Sequence, residues 1–80
     1  MTEDEIYAGI ATVFRQQLKM PDLMVSPGMT AGDVKGWDSL THIRLILAVE
    51  KQFGVKFRTS EVSSFRNVGD LAELVRAKIG

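Results

Sequence analysis

Gly36-Trp37-Asp38-Ser39-Leu40 places one serine at the point where a glycine-containing stretch gives way to an apolar segment of helical length. Apolar residues continue from Leu40 to Phe53 at a density and spacing typical of a helix. Asp38 is a good helix N-cap because its carboxylate can accept from the free backbone N–H groups of the first turn. We therefore predict a helix that begins at Ser39. Its hydroxyl then lies at the positive end of the helix dipole, where an attached phosphate is stabilised.

Further helices are predicted on both sides of this segment. Thr2 and Glu5 form a capping-box pattern ahead of a first helix over about residues 3–18. The second helix runs from Ser39 to Phe53 and ends at Gly54. A short third helix over 60–64 is capped by Thr59 or Ser60, and a last helix follows the cap residue Asn67. The predicted fold is all-α, a small bundle of three main helices plus one short helix.

The stretch between the first two helices, residues 19–37, is predicted to be one long ordered loop. It holds both prolines and three of the seven glycines. It also carries too many apolar residues for a solvated linker, and we expect them to cover the core. These residues are Met20, Leu23, Met24, Val25, Met29 and Val34.

Length and composition restrict the kinds of function. Eighty residues are enough for one small domain, 1–80, and too few for two. The formal net charge of zero gives no reason to expect a nucleic-acid or membrane-surface partner. No apolar run is long enough to span a bilayer, and the acidic start is not a secretory signal, so we expect a cytoplasmic protein. Without cysteine the chain has no thiolate metal site, and we expect no metal.

The order of predicted helices and three short segments resemble an acyl carrier protein over essentially the whole chain. The segments are Asp38-Ser39-Leu40 with its preceding Gly-Trp, residues 50–55 (Glu-Lys-Gln-Phe-Gly-Val) and residues 67–71 (Asn-Val-Gly-Asp-Leu). The resemblance implies that a phosphopantetheinyl transferase attaches 4'-phosphopantetheine from coenzyme A to Ser39, with Asp38 beside it. The thiol of that arm would carry cargo as a thioester to acyl-loading and acyl-transferring enzymes. The protein would then be a monomeric carrier without catalytic residues of its own.

The resemblance also implies that the second helix is the recognition surface for partner enzymes. The expected apolar contacts are Leu40, Ile43 and Leu47, with Leu45, Ile46 and Val49 on the core side. The remaining expected contact residues are Thr41, His42, Arg44, Glu50 and Lys51. Carriers of fatty-acid synthesis usually present an acidic second helix, whereas residues 38–53 of this chain have a formal charge of zero. This difference favours a specialised carrier that serves a dedicated lipid, polyketide or amino-acid activation pathway.

Other interpretations of the same residues remain open. An aminoacyl or peptidyl carrier has the same fold, arm and serine, and an unmodified helical interaction domain shares the fold alone. A hydrolase with Ser39 as nucleophile and His42 as base lacks a nucleophile-elbow motif, and it is the least favoured class. We expect Trp37 to be a core residue, although it could also cover the arm. We expect His42 to be a surface residue near the phosphate.

Overall fold

The fold is described from a computed structural model, in which residues 1–79 are described. Four α-helices follow one another as α1 (Glu3–Leu18), α2 (Ser39–Phe53), α3 (Thr59–Ser64) and α4 (Val68–Ile79), with a 3₁₀ turn at Ala31–Asp33 before α2. Over the described part of the chain no strand forms, so the predicted all-α bundle is confirmed. Gly80 of the predicted domain 1–80 lies outside the described residues.

The helix ends are set mostly by the predicted caps. The Thr2 hydroxyl accepts from the Glu5 N–H at 3.2 Å, and the Thr2 N–H donates to the Glu5 carboxylate at 2.9 Å. The N–H of Asp70 donates to the Asn67 side chain at 2.8 Å, which confirms Asn67 as the cap of α4. Gly54 ends α2 with a φ of 67°, in the left-handed region that favours glycine.

The predicted start of the third helix is wrong by one residue. α3 begins at Thr59, and its N-cap is Arg58 rather than Thr59 or Ser60. The Arg58 N–H donates to the Glu61 carboxylate at 2.8 Å, so a side chain inside the first turn satisfies the backbone before it. The cap residue itself contributes no side-chain hydrogen bond, so neither Ser nor Thr is needed at that position.

One core joins α1, α2, α4 and the loop. Phe14, Ile10, Val49 and Val75 are fully enclosed, and Trp37 brings the residue next to Asp38 into the same cluster. Leu45, Ile46 and Val49 form the buried side of α2, as predicted. A core that reaches Trp37 packs the segment before α2 against α1.

The long loop is fastened to the start of α4. The N–H of Val68 donates to Met29 O at 2.9 Å, and the N–H of Gly69 donates to Pro27 O at 2.8 Å. Val34 is buried, and the other predicted loop anchors are packed against the core except Met24, which is 75% exposed. The prediction for Met24 is therefore wrong. These contacts hold the loop that leads to Asp38 against the core and the start of α4.

Over residues 1–79, none of the helices combines the length and the apolar character that crossing a membrane requires.

Candidate functional site

Ser39 is the first residue of α2 and is exposed to solvent. The preceding residue, Asp38, has an extended backbone, and its carboxylate accepts from the Thr41 N–H at 2.8 Å, which confirms the predicted cap. The first N–H groups of a helix have no intrahelical acceptor, so the backbone around Ser39 favours an anion. The cap therefore presents one hydroxyl in a defined position at the positive end of α2.

The carboxylate of Asp38 is ionised at neutral pH. The backbone N–H of Thr41 lowers the pKa of Asp38 from its ordinary value of 3.8, since the hydrogen bond favours the charged form. Asp38 thus occupies one N–H of the first turn as a fixed negative group. Any phosphate on Ser39 would be left with the remaining N–H groups of that turn.

A cleft opens beside the serine. It has a volume of about 400 Å³ and is lined by Ala31, Trp37, Asp38, Ser39 and His42. The 3₁₀ turn supplies Ala31, and the carboxylate of Asp33 secures that turn by accepting from the Thr30 N–H at 3.1 Å. The loop and the first turn of α2 therefore form the cleft together.

Three aromatic rings and His42 make a continuous row of ring contacts from α1 to the segment before α4. Phe14 meets Trp37 edge to face with ring centroids 5.1 Å apart. His42 lies near-parallel to Trp37 at 6.1 Å on one side and to Phe65 at 5.1 Å on the other. The indole Nε1–H of Trp37 donates to His42 Nδ1 at 3.1 Å. Trp37 is buried, as predicted for a core residue.

The position of His42 corrects the expectation of a surface residue. Its ring is half-buried between two aromatic rings, and its Nδ1 is occupied as an acceptor. An imidazole whose Nδ1 accepts from Trp37 carries its proton on Nε2 when it is neutral. It is therefore poorly prepared to take a proton from Ser39, which argues against the nucleophile-and-base interpretation.

The outer face of α2 carries the three predicted apolar contacts. Leu40, Ile43 and Leu47 are 59%, 56% and 59% exposed, although large aliphatic side chains usually lie inside small domains. An apolar groove of about 230 Å³ adjoins this face toward α3. The groove is lined by Ile43, Ile46, Leu47, Glu50, Phe57, Thr59 and Val62.

The polar residues of the predicted recognition surface differ in their surroundings. Arg44 and Lys51 are exposed, whereas Thr41 and Glu50 are half-buried. Glu50 Oε2 accepts from the Phe57 N–H at 2.7 Å, so this carboxylate fastens the α2–α3 connection. Over residues 1–79, no group of three or more side chains has the composition of a metal site.

Two residues of the site were not anticipated. Phe65 stacks on His42 from 23 positions further along the chain, and Ala31 lines the cleft. An aromatic residue between Ser64 and Arg66 is a possible signal of a buried anchor, but nothing in the sequence points to the ring that it meets. Ala31 has no sequence signal at all.

Comparison with known proteins connects this site with one kind of attachment. A family model described as "Phosphopantetheine attachment site" matches residues 8–75, which include Asp38 and Ser39. The acyl carrier protein of Acidothermus cellulolyticus is 28% identical over 75 residues, 94% of this chain and 89% of that protein. The acyl carrier protein of Thermotoga maritima is 25% identical over 79 residues, 99% of this chain and 98% of that protein. The solution NMR structure of a holo acyl carrier protein from Geobacter metallireducens matches with a TM-score of 0.85 and 34% identity, covering 91% of this chain and 84% of that one.

Proposed function

This chain belongs to the acyl carrier protein family, and on that premise we propose that Ser39 is the residue that bears its 4'-phosphopantetheine arm. The protein is a carrier and not a catalyst, and phosphopantetheine is its prosthetic group. One observation carries the assignment to Ser39. It is the exposed hydroxyl at the first residue of α2, beside a cleft of about 400 Å³.

The surroundings of Ser39 fit a phosphopantetheine group. Ser39 is exposed to solvent, so a transferase can reach it, and the first turn of α2 offers N–H groups to a phosphodiester. Asp38 holds that turn through its hydrogen bond to Thr41, and Trp37 anchors the preceding backbone in the core. The thiol of the arm supplies the thioester chemistry that a chain without cysteine lacks.

Loading of Ser39 is a phosphoryl transfer. The serine oxygen forms a bond to the phosphorus of coenzyme A that bears the pantetheine, and adenosine 3',5'-bisphosphate leaves with the electrons of the broken P–O bond. The hydroxyl proton passes to a base of the transferase. The carrier itself only positions the serine hydroxyl. Its half-buried His42 does not act as the base, because His42 Nδ1 already accepts a hydrogen bond from Trp37.

We further propose the setting in which the carrier works. Residues 1–80 form one carrier domain that acts as a cytoplasmic monomer. A phosphopantetheinyl transferase loads it, and acyl-loading and acyl-transferring enzymes of a dedicated lipid or polyketide pathway use it. The exposed Arg44 and Lys51 on α2 support a dedicated set of partners, because electrostatic complementarity governs partner choice.

The test is the intact mass of the protein after incubation with coenzyme A, Mg²⁺ and a broad-specificity phosphopantetheinyl transferase. We expect one added phosphopantetheine on the native chain and none on Ser39→Ala, with circular dichroism showing both folded. Ser60→Ala is the matched control, since Ser60 is also an exposed serine in the first turn of a helix. It should load like the native protein.

Loading of Ser39→Ala, or its loss in Ser60→Ala alone, would refute the assignment of Ser39. Absence of any added mass with both a broad-specificity and a second, dedicated transferase would favour an unmodified interaction domain.

A further inference from the structure

The outer face of α2 combines apolar side chains with cations. Leu40, Arg44, Leu47 and Lys51 follow at spacings of four, three and four residues, so they share one face of the helix, with Ile43 beside them. The three aliphatic side chains are each more than half exposed, and both cations are exposed. A continuous apolar stripe of this kind on a small carrier marks a binding surface.

The two carboxylates on α2 and its cap already accept hydrogen bonds from backbone N–H groups of this protein. Asp38 accepts from the Thr41 N–H, and Glu50 accepts from the Phe57 N–H. From residue 38 to 58 the chain has four cationic residues and two carboxylates, a formal charge of +2, whereas the remainder has six and eight, a formal charge of −2. The excess of two cations comes from Lys56 and Arg58, which follow α2, so the neutral net charge of the protein conceals a positive region at the C-terminal end of this helix.

Among residues 1–79, Arg44 and Lys51 form no ion pair. The salt bridges recorded among residues 1–79 are Arg76–Glu73 at 4.0 Å and Lys78–Glu61 at 2.9 Å, and both involve a cation of α4. Lys51 lies in the last turn of α2, where it also complements the helix dipole. Arg44 lies in the middle of the helix, where the dipole gives no reason for a cation.

We propose that this face docks partner enzymes whose carrier-binding surface is apolar at its centre and rimmed by aspartate and glutamate. The proposal rests on the carrier function given above and names the chemistry of the partner. Leu40, Ile43 and Leu47 supply the apolar contact, and Arg44 and Lys51 steer the encounter toward negative charge and against basic surfaces. A partner with a basic rim would place its own cations against Arg44 and Lys51, and the repulsion between them disfavours binding.

The probe is a pair of enzymes that differ only in the charge of the docking rim. One is a carrier-dependent condensing enzyme of bacterial fatty-acid synthesis with a basic carrier-binding rim. The other is the same enzyme with those arginines and lysines changed to glutamate. Association rates and Kd values are measured by surface plasmon resonance at about 50 and 300 mM salt, since screening weakens steering between exposed charges.

We expect the native chain to bind the acid-rimmed enzyme about tenfold more tightly than the basic one at low salt, with most of the difference in the association rate. The variant Arg44→Glu/Lys51→Glu should invert this preference, and Arg44→Glu alone should reduce it. The control is Arg76→Glu, which has the same net charge as Arg44→Glu but alters an exposed residue of α4. It should keep the native preference.

Equal binding to the two enzymes, tighter binding to the basic enzyme, or no measurable binding to either would overturn the proposal. The binding is measured on the unmodified and on the arm-bearing protein, with the mass of each sample recorded. A chain that fails to load on Ser39 but prefers the acidic rim refutes the attachment site alone. A chain that loads on Ser39 without that preference refutes the docking proposal alone.

Discussion

His42 connects two distant segments of the chain at the site. It is held by a hydrogen bond from Trp37 and by stacking on Phe65, so one side chain ties the start of α2 to the segment that precedes α4. A buried indole N–H without an acceptor is costly, since it has lost water without regaining a partner. His42 is thus a structural residue whose position also shapes the wall of the cleft.

We expect His42→Ala to lower the free energy of unfolding by about 1–3 kcal/mol, because the Trp37 N–H loses its partner and Phe65 loses its stacking contact. Urea denaturation followed by circular dichroism measures this change. Phosphopantetheine loading of the folded variant should persist, whereas a hydrolase with His42 as its base would lose all activity.

Removing both partners provides the internal control. The double variant Trp37→Phe/His42→Ala lacks the indole N–H as well as its acceptor, so no buried donor is left without a partner. Its loss of unfolding free energy should therefore be smaller than the sum of the losses in the two single variants. Additive effects would contradict the inferred hydrogen bond.

At the scale of elements, the loop and α4 position each other. The first N–H groups of α4 find acceptors in loop carbonyls, namely Pro27 O and Met29 O. A Cβ added at Gly69 would lie 3.0 Å from Pro27 O and 3.3 Å from Asn67 Oδ1. A side chain at this position would therefore crowd the loop where it approaches the helix.

Gly69→Ala should destabilise the protein by about 1 kcal/mol, although alanine is the better helix former by a similar amount. Pro27 O cannot retreat without lengthening its own hydrogen bond to the N–H of residue 69. Urea denaturation, together with faster amide hydrogen exchange at residues 68 and 69, measures the effect.

Gly28→Ala is the matched control, because a Cβ at Gly28 meets nothing within 4 Å. It should leave stability and exchange unchanged. A Gly69→Ala protein more stable than the native one would show that the loop yields to the added methyl group.

At the scale of the whole molecule, three carboxylates couple folding to pH. Backbone N–H groups lower the pKa of Glu5 and Glu61 from 4.5 and that of Asp38 from 3.8, each through a hydrogen bond at the start of a different helix. A carboxylate with a lowered pKa in the folded state stabilises the protein above its unfolded pKa. That contribution disappears as the pH falls through the folded pKa.

We expect the free energy of unfolding to fall as the pH decreases from about 5 to about 3. Urea denaturation at a series of pH values measures the curve. The variant Glu5→Gln/Asp38→Asn/Glu61→Gln keeps side-chain acceptors but does not titrate there. It should be less stable at pH 7 and show a flatter acid limb, and an acid limb as steep as the native one would contradict this assignment.

The structure confirms the predictions that depended on local interactions. Hydrophobic spacing gave the bounds of α1 and α2, and the caps at Thr2, Asp38 and Asn67 act within four residues. The same information suggested Ser39 as the exposed residue at the start of α2. The prediction from local interactions was wrong at α3, where Arg58 is the N-cap and its backbone N–H donates to the Glu61 carboxylate.

By itself, the sequence determined the three main helices, the caps at Thr2, Asp38 and Asn67, and the place of Ser39, because each depends on residues that are neighbours along the chain. Only the tertiary structure decided that His42 lies between Trp37 and Phe65, that Glu50 is committed to the Phe57 N–H, and that Met24 is left outside. These outcomes depend on contacts between distant segments, which arise when the helices pack and bury a shared core. They also leave Arg44 and Lys51 exposed on the apolar face of α2 with no ion-pair partner in the described part of the chain, a fact that composition alone conceals.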